Sequence, residues 1–299
     1  MLRCTIAGLL PLMMSEKYAG YAGDMFANHR KLFDDILRHR SYYILRDMPA
    51  AIARELLLPA VSGLIKKQKK TGMWVKKDSE RISYDILSAL KHAGLLGKLL
   101  SEGELKDPLD ALKERRSYHA ALIRRDIFNK SDEEDISWSD SYSSKIRQDQ
   151  KGDGSWGGTV VETIFHLDRL RALGTASAAP SIVYGIDYLL RQYHEALPGI
   201  HTVAEYGFIA KNMFTSADRN REFEAAEMRY PEWIPRNACY RHLAVIQNSV
   251  CLMTLLRLGF EPDARVETAL DNLYSLIFRF GGLCMHNIKK PILEGKICL

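Results

Sequence analysis

Cysteine is sparse in this chain, with five among 299 residues: Cys4, Cys239, Cys251, Cys284 and Cys298. No two of them form a C-x-x-C pair, which excludes a disulfide-framed miniprotein and points to reduced thiols in the cytoplasm. No apolar run is long enough to span a bilayer, so membrane contact is expected to be peripheral at most. Ten prolines and twenty glycines are too few for a loop-dominated fold. No run of four or more residues alternates as a half-buried strand does. The formal net charge is only +5, which mildly favours anionic partners but falls short of a nucleic-acid-binding composition. Signatures of the G-x-G-x-x-G, P-loop, H-E-x-x-H and G-x-S-x-G types are missing too. What remains is an ordinary globular composition, 46% hydrophobic and 26% charged.

The apolar residues that are present recur at three- and four-residue spacing. This predicts helices over 26–46, 50–66, 82–96, 108–128, 159–173, 180–191, 202–214, 239–258 and 263–279. Most prolines fall at the edges of these segments. The stretch 246–258 is apolar nearly all round, as a helix enclosed by others should be. Residues 1–25 are set apart as an N-terminal segment. There Met1-Leu2-Arg3 precedes the apolar stretch Ile6 to Met14, which suggests a weak export signal or a buried or frayed helix. Residues 26–299 are expected to form one all-α domain.

An internal repeat organises that domain. Gln68-Lys-Lys-Thr-Gly72-Met-Trp74 and Gln150-Lys-Gly-Asp-Gly154-Ser-Trp156 share the form Q-x3-G-x-W. Each is followed by S/T-x3-L-x2-L-x3-G: Ser83, Leu87, Leu90 and Gly94 in the first, Thr163, Leu167, Leu170 and Gly174 in the second. The spacing returns at Asn248, Leu252, Leu255 and Gly259. Degenerate copies between them make the unit a helical hairpin of roughly 40–45 residues. In the expected unit a helix ends near the Gln and the Gly reverses the chain with φ > 0. The Gln amide bonds open backbone groups and the Trp covers them. Successive hairpins must stack to bury both helices.

These motifs resemble the QW-type repeats of the squalene cyclase and protein prenyltransferase β-subunit superfamily, over roughly residues 55–290. The resemblance implies an α/α toroid of about six hairpins, with inner helices around a central cavity. It also implies an isoprenoid or similarly apolar ligand, including one that carries a diphosphate. Residues just after each turn would rim the cavity: Asp78 and Glu80, Thr159 and Glu162, His201 and Glu205, Asn237 to His242, and Cys284 to His286. Helix caps and surface residues are the alternative reading of such positions. From this set Glu162, His201, Glu205 and Tyr240 are the candidate catalytic residues.

Asn237-Ala-Cys239-Tyr240-Arg-His242 resembles the D-x-C-Y segment whose Asp and Cys hold zinc in prenyltransferase β-subunits, with Asn237 in place of the Asp. The implied candidate zinc set is therefore Cys239, His242, Cys284 and His286, of which at most three would serve, leaving a position open. Buried cysteines and capping histidines are the alternative. Asp132-Glu-Glu-Asp135 approaches the D-x-D-D acid motif of cyclases, but its charge density suggests a solvated loop. The lysines at 66, 67, 69, 70, 76 and 77 are expected on a solvated face. Tyr84, Phe165, Tyr206, Phe208, Phe214 and Tyr240 could line a cavity, or could be plain core. Two further functions stay open: a non-catalytic toroid serving as binding or scaffold protein, and an (α/α) carbohydrate-active enzyme with Glu162 and Glu205 as paired carboxylates.

Overall fold

The computed structural model describes residues 9–20, 42–75, 79–194, 207–208, 248–260 and 262–274. The chain divides into two compact units, one of Gly20–Lys145 and one that joins Met1–Ala19 to Ile146–Leu299. Helix dominates the described residues. The first helix, α1 over 9–14, belongs to the second unit.

The 20–145 unit opens its described part with a 3-10 turn, Tyr42–Arg46. The predicted helix over 50–66 is present in pieces: α2 (Ala50–Leu57), a 3-10 turn at Leu58–Ala60, and α3 (Val61–Lys67). Pro59 in the middle turn has no N–H to give an α-helical ladder, which tightens the chain there. Next come α4 (Ser79–His92), α5 (Leu96–Ser101) and α6 (Leu109–Leu112). The expected helix over 108–128 is broken after α6. It restarts as α7 (Tyr118–Leu122), whose cap Ser117 accepts from the Ala120 N–H at 3.3 Å. Helix α7 runs on into one wide π-turn, Ile123–Ile127.

Of the 130–135 charge run, residues 130–132 are exposed and non-helical, as expected of a solvated loop, while Glu133, Glu134 and Asp135 open α8 (Glu133–Gln148). Asp132 caps it by accepting the Asp135 N–H at 2.7 Å. Asp135 is buried, and the Arg124 guanidinium from the π-turn grips it with Nε at 2.5 Å and a second bond from Nη2. Arg124 also donates to the carbonyls of Leu112 and Arg115. Burial works against the Asp135 carboxylate, but Arg124 and Arg116 outweigh it and hold its pKa below the ordinary range.

The second unit contains α9 (Val160–Ala172), α10 (Pro180–Leu190), α11 over 248–257 and α12 (Ala264–Tyr274). Two-residue strands β1 (Tyr193–His194) and β2 (Gly207–Phe208) pair antiparallel. The expected enclosure of 246–258 is seen in α11, where Cys251, Leu252, Met253 and Leu255 are buried. Helix α1 buries Leu9, Leu10, Leu12 and Met13. Just after it, Tyr18 stacks on Tyr274 at 4.7 Å and bonds Asp271, which also takes Lys17 at 2.8 Å.

The two Q-x3-G-x-W segments fold alike, one in each unit. Gln68 Nε2 donates to the Gly72 carbonyl at 2.9 Å and to the Lys106 carbonyl at 2.7 Å. Gln150 Nε2 donates to Gly154 and Ser181 carbonyls, both at 2.9 Å. Gly72 and Gly154 have φ of 77° and 89°. A Cβ on either would lie 2.3 or 2.2 Å from a carbonyl oxygen, that of Asp107 or Tyr184, so the turn presses directly on backbone. The tryptophans do more than cover the turn. Each donates its indole N–H to a carbonyl ten residues upstream, Trp74 to Leu64 at 3.0 Å and Trp156 to Ile146 at 2.6 Å. Each also gives its backbone N–H to the S/T position of the next motif, Ser83 at 3.0 Å and Thr163 at 3.1 Å.

The L-x3-G spacing has an equally local cause. In all three copies the helix closes with paired C-terminal bonds. The N–H after the glycine reaches back to the second Leu: Leu95 to Leu90 at 2.9 Å, Thr175 to Leu170 at 3.0 Å, Phe260 to Leu255 at 3.0 Å. The glycine N–H reaches the residue after that Leu, at 3.0 Å in each copy.

Candidate functional site

Because the three copies close alike, their helices can be read in one register. Two residues beyond Ser83, Thr163 and Asn248 stand Asp85, Phe165 and Val250. The first copy therefore places a carboxylic acid where the others are apolar. Asp85 lies on the buried side of α4, with its side chain 10% exposed. Burial pushes its pKa up to about 6, against the pull of Arg46 and Arg81. The nearest cation is Arg46 Nη2, at 4.0 Å from Oδ1. That is an ion-pair contact without a hydrogen bond.

Other polar groups collect around the neighbouring Tyr84. The Arg46 guanidinium lies over the Tyr84 ring, 5.2 Å from its centroid. The Tyr84 hydroxyl donates to Asp126 Oδ2 at 3.4 Å. Burial raises the Tyr84 pKa, while Arg46 works the other way. The His119 ring from α7 sits 6.0 Å from that of Tyr84. Arg124 and Asp126 stand two residues apart on the π-turn and project to different sides, Arg124 to Asp135 and Asp126 to Tyr84. Arg125 Nε holds the other Asp126 oxygen at 2.6 Å, and Lys91 donates to the Asp126 and Ile127 carbonyls. The result is a cluster of two carboxyls, a phenol, an imidazole and a guanidinium, built on two helices, one turn and one π-bulge. Groups of these types can exchange protons and bind polar ligands.

Of the candidate catalytic residues, only Glu162 lies among the described residues. It is exposed in the first turn of α9, where its N–H donates to the cap Thr159 Oγ1 at 3.1 Å. This is the helix-start role weighed from sequence. His201, Glu205 and Tyr240 fall outside the described residues, as do all four implied zinc ligands, Cys239, His242, Cys284 and His286. Among the described residues no three His, Cys, Asp or Glu side chains gather as a metal site would require. Phe165 is half-exposed beside Val161 on α9, and Arg169 lies 3.8 Å from its ring centroid. Tyr84 belongs to the polar cluster. Lys66, Lys67, Lys69 and Lys70 are exposed as expected. No described helix is long and apolar enough to cross a membrane.

Sequence reasoning missed Asp85, Arg46, His119 and Asp126. The signal for Asp85 was available once the copies were set in register. Arg46, His119 and Asp126 come from outside the motif, and no spacing points to them. No known protein family matches this chain, and neither a curated protein nor a solved structure does.

Proposed function

We propose that this chain is an α/α toroid of the prenyltransferase and terpene cyclase-like kind, which holds an isoprenoid or similarly apolar small molecule against its inner helices. The observation that carries this reading is the repeated turn, with the same Gln, Gly, Trp and hydroxyl bonds in two copies and the same helix closure in three. Identical closures give successive hairpins identical stacking surfaces, as a closed ring of them requires. Val161 and Phe165, at 64% and 49% exposure on the helix that follows the second turn, are apolar surface that such a ligand would cover. Cys239, His242, Cys284 and His286 remain the candidate zinc set of this reading, of which at most three would serve, and His201, Glu205 and Tyr240 its catalytic groups beside Glu162. The site would be cytoplasmic, with cysteines reduced.

Binding of a prenyl alcohol and a prenyl diphosphate, followed by thermal shift, tests the ligand class. Both should raise Tm, and Phe165→Ser should weaken both. No shift with either sinks the isoprenoid reading, and protection by a soluble oligosaccharide instead would favour a carbohydrate-active toroid. Zinc per chain, measured on protein purified without a metal-affinity tag, tests the metal. One zinc lost in Cys239→Ala supports assisted transfer, whereas none leaves a metal-free binder.

A further inference from the structure

We propose that the first Q-x3-G-x-W turn is a docking face for an anionic bilayer surface, formed by Lys66, Lys67, Lys69, Lys70 and Lys106. All of these lysines are exposed, and among the described residues none pairs with a carboxylate. The turn itself brings them together. Lys66 and Lys67 end α3, and Lys69 opens the reversal that the Gly72 N–H closes onto the Lys69 carbonyl at 3.0 Å. Gln68 stands between the two pairs. Its side-chain amide donates to the Lys106 carbonyl at 2.7 Å and accepts the Lys106 N–H at 3.0 Å. That two-bond clamp holds the backbone of Lys106 against the turn that carries the other four. The acid beside it, Asp107, takes the Leu109 N–H at 3.0 Å.

The sister turn shows that folding does not ask for these charges. It makes the same Gln, Gly and Trp bonds with Gln148, Asp149, Lys151 and Gly152 at the places of Lys66, Lys67, Lys69 and Lys70. Its Gln150 reaches the carbonyl of Ser181 where Gln68 reaches that of Lys106. The negative end of α3 favours cations in its last turn, but that effect does not extend to Lys70 or Lys106. Like charges crowded on one turn repel one another, and a negative surface laid against them turns that cost into attraction.

The side-chain type selects the partner. Elsewhere in this chain arginines grip single carboxylates: Arg115 that of Glu80, Arg124 that of Asp135, Arg257 that of Asp168. The docking face carries lysine alone. Lysines are hydrated point charges, suited to a diffuse anionic surface rather than to forked recognition of one phosphate or carboxylate. Residues 66–71 and 104–107 hold no aromatic ring on which a nucleic-acid base could stack, and Trp74 is buried. Each lysine held near such a bilayer raises partitioning about fivefold. The proposal stands on the turn and its charges, independently of the isoprenoid reading.

Cosedimentation of the full chain with large vesicles tests this. Phosphatidylcholine vesicles with about 30% phosphatidylserine should bind it at ~0.05 M salt, pure phosphatidylcholine should not, and ~0.5 M salt should release it. Lys69→Gln should weaken binding about fivefold, and joint replacement of Lys66, Lys67, Lys69 and Lys70 by Gln at least about a hundredfold. Tm should stay unchanged in both, since these side chains are exposed. Lys151→Gln, at the place of Lys69 in the sister turn, should leave binding as it is. Failure to bind the phosphatidylserine vesicles, full binding by the fourfold variant, or an equal loss in Lys151→Gln overturns the docking face. So does preference for a single-stranded DNA oligonucleotide over the vesicles.

Discussion

At the scale of single residues, the turn glycines and Asp85 make opposite demands. Gly154 combines positive φ with a carbonyl 2.2 Å from where its Cβ would stand, so no side chain fits. Gly154→Ala should lower stability by about 3 kcal/mol in a denaturant titration, more than the ~1 kcal/mol of an ordinary left-handed position. Asp85 lowers stability where it is. Its raised pKa means that its favourable contribution is complete below pH 3.8 and is lost as pH rises through about 6. Asp85→Asn should therefore stabilise the protein at pH 7.5 by on the order of 2 kcal/mol, while at pH 4 the two proteins should converge. The glycine was legible in the sequence because its spacing to Gln and Trp is fixed by hydrogen bonds. The acid was not, because an Asp on an amphipathic helix passes for a surface residue until a sister copy shows Phe at the same place.

At the scale of elements, legibility followed the apolar pattern. Helices α9, α10 and α12 fall where three- and four-residue spacing put them. Helix α8 escaped because only Asp135, Ser143 and Ile146 face inward along it, too few apolar residues to show a period. Its anchor is ionic instead. Removing one member of a buried pair strands the other, so Asp135→Ala should cost about 3–5 kcal/mol in urea unfolding. Glu134→Ala, one residue away with its side chain 76% exposed, should cost less than about 1 kcal/mol. Equal losses for both would mean that Arg124 finds another partner. The helix over 50–66 was legible in extent but not in its break, since Pro59 allows either a kink or a tight turn.

At the scale of the whole chain, the repeat was the most legible feature and the chemistry the least. A repeat advertises itself because each copy solves the same closure problem with the same residues. A site uses whichever residues several elements bring together, as Arg46, Tyr84, His119 and Asp126 do from four separate segments. The zinc measurement and the prenyl ligand titration belong at this scale, because both ask what the assembled chain holds.

The indole bonds of the two turns also give the molecule an optical use. Trp74 lies in one compact unit and Trp156 in the other, each buried with its N–H committed to a carbonyl of the preceding helix. Loss of that bond and entry of water shift indole emission to longer wavelength. With Trp138 and Trp233 replaced by Phe, and one turn Trp retained at a time, each unit carries its own lamp. Two emission curves that superimpose along a urea gradient would mean that the units melt as one, and two separate midpoints would rank them.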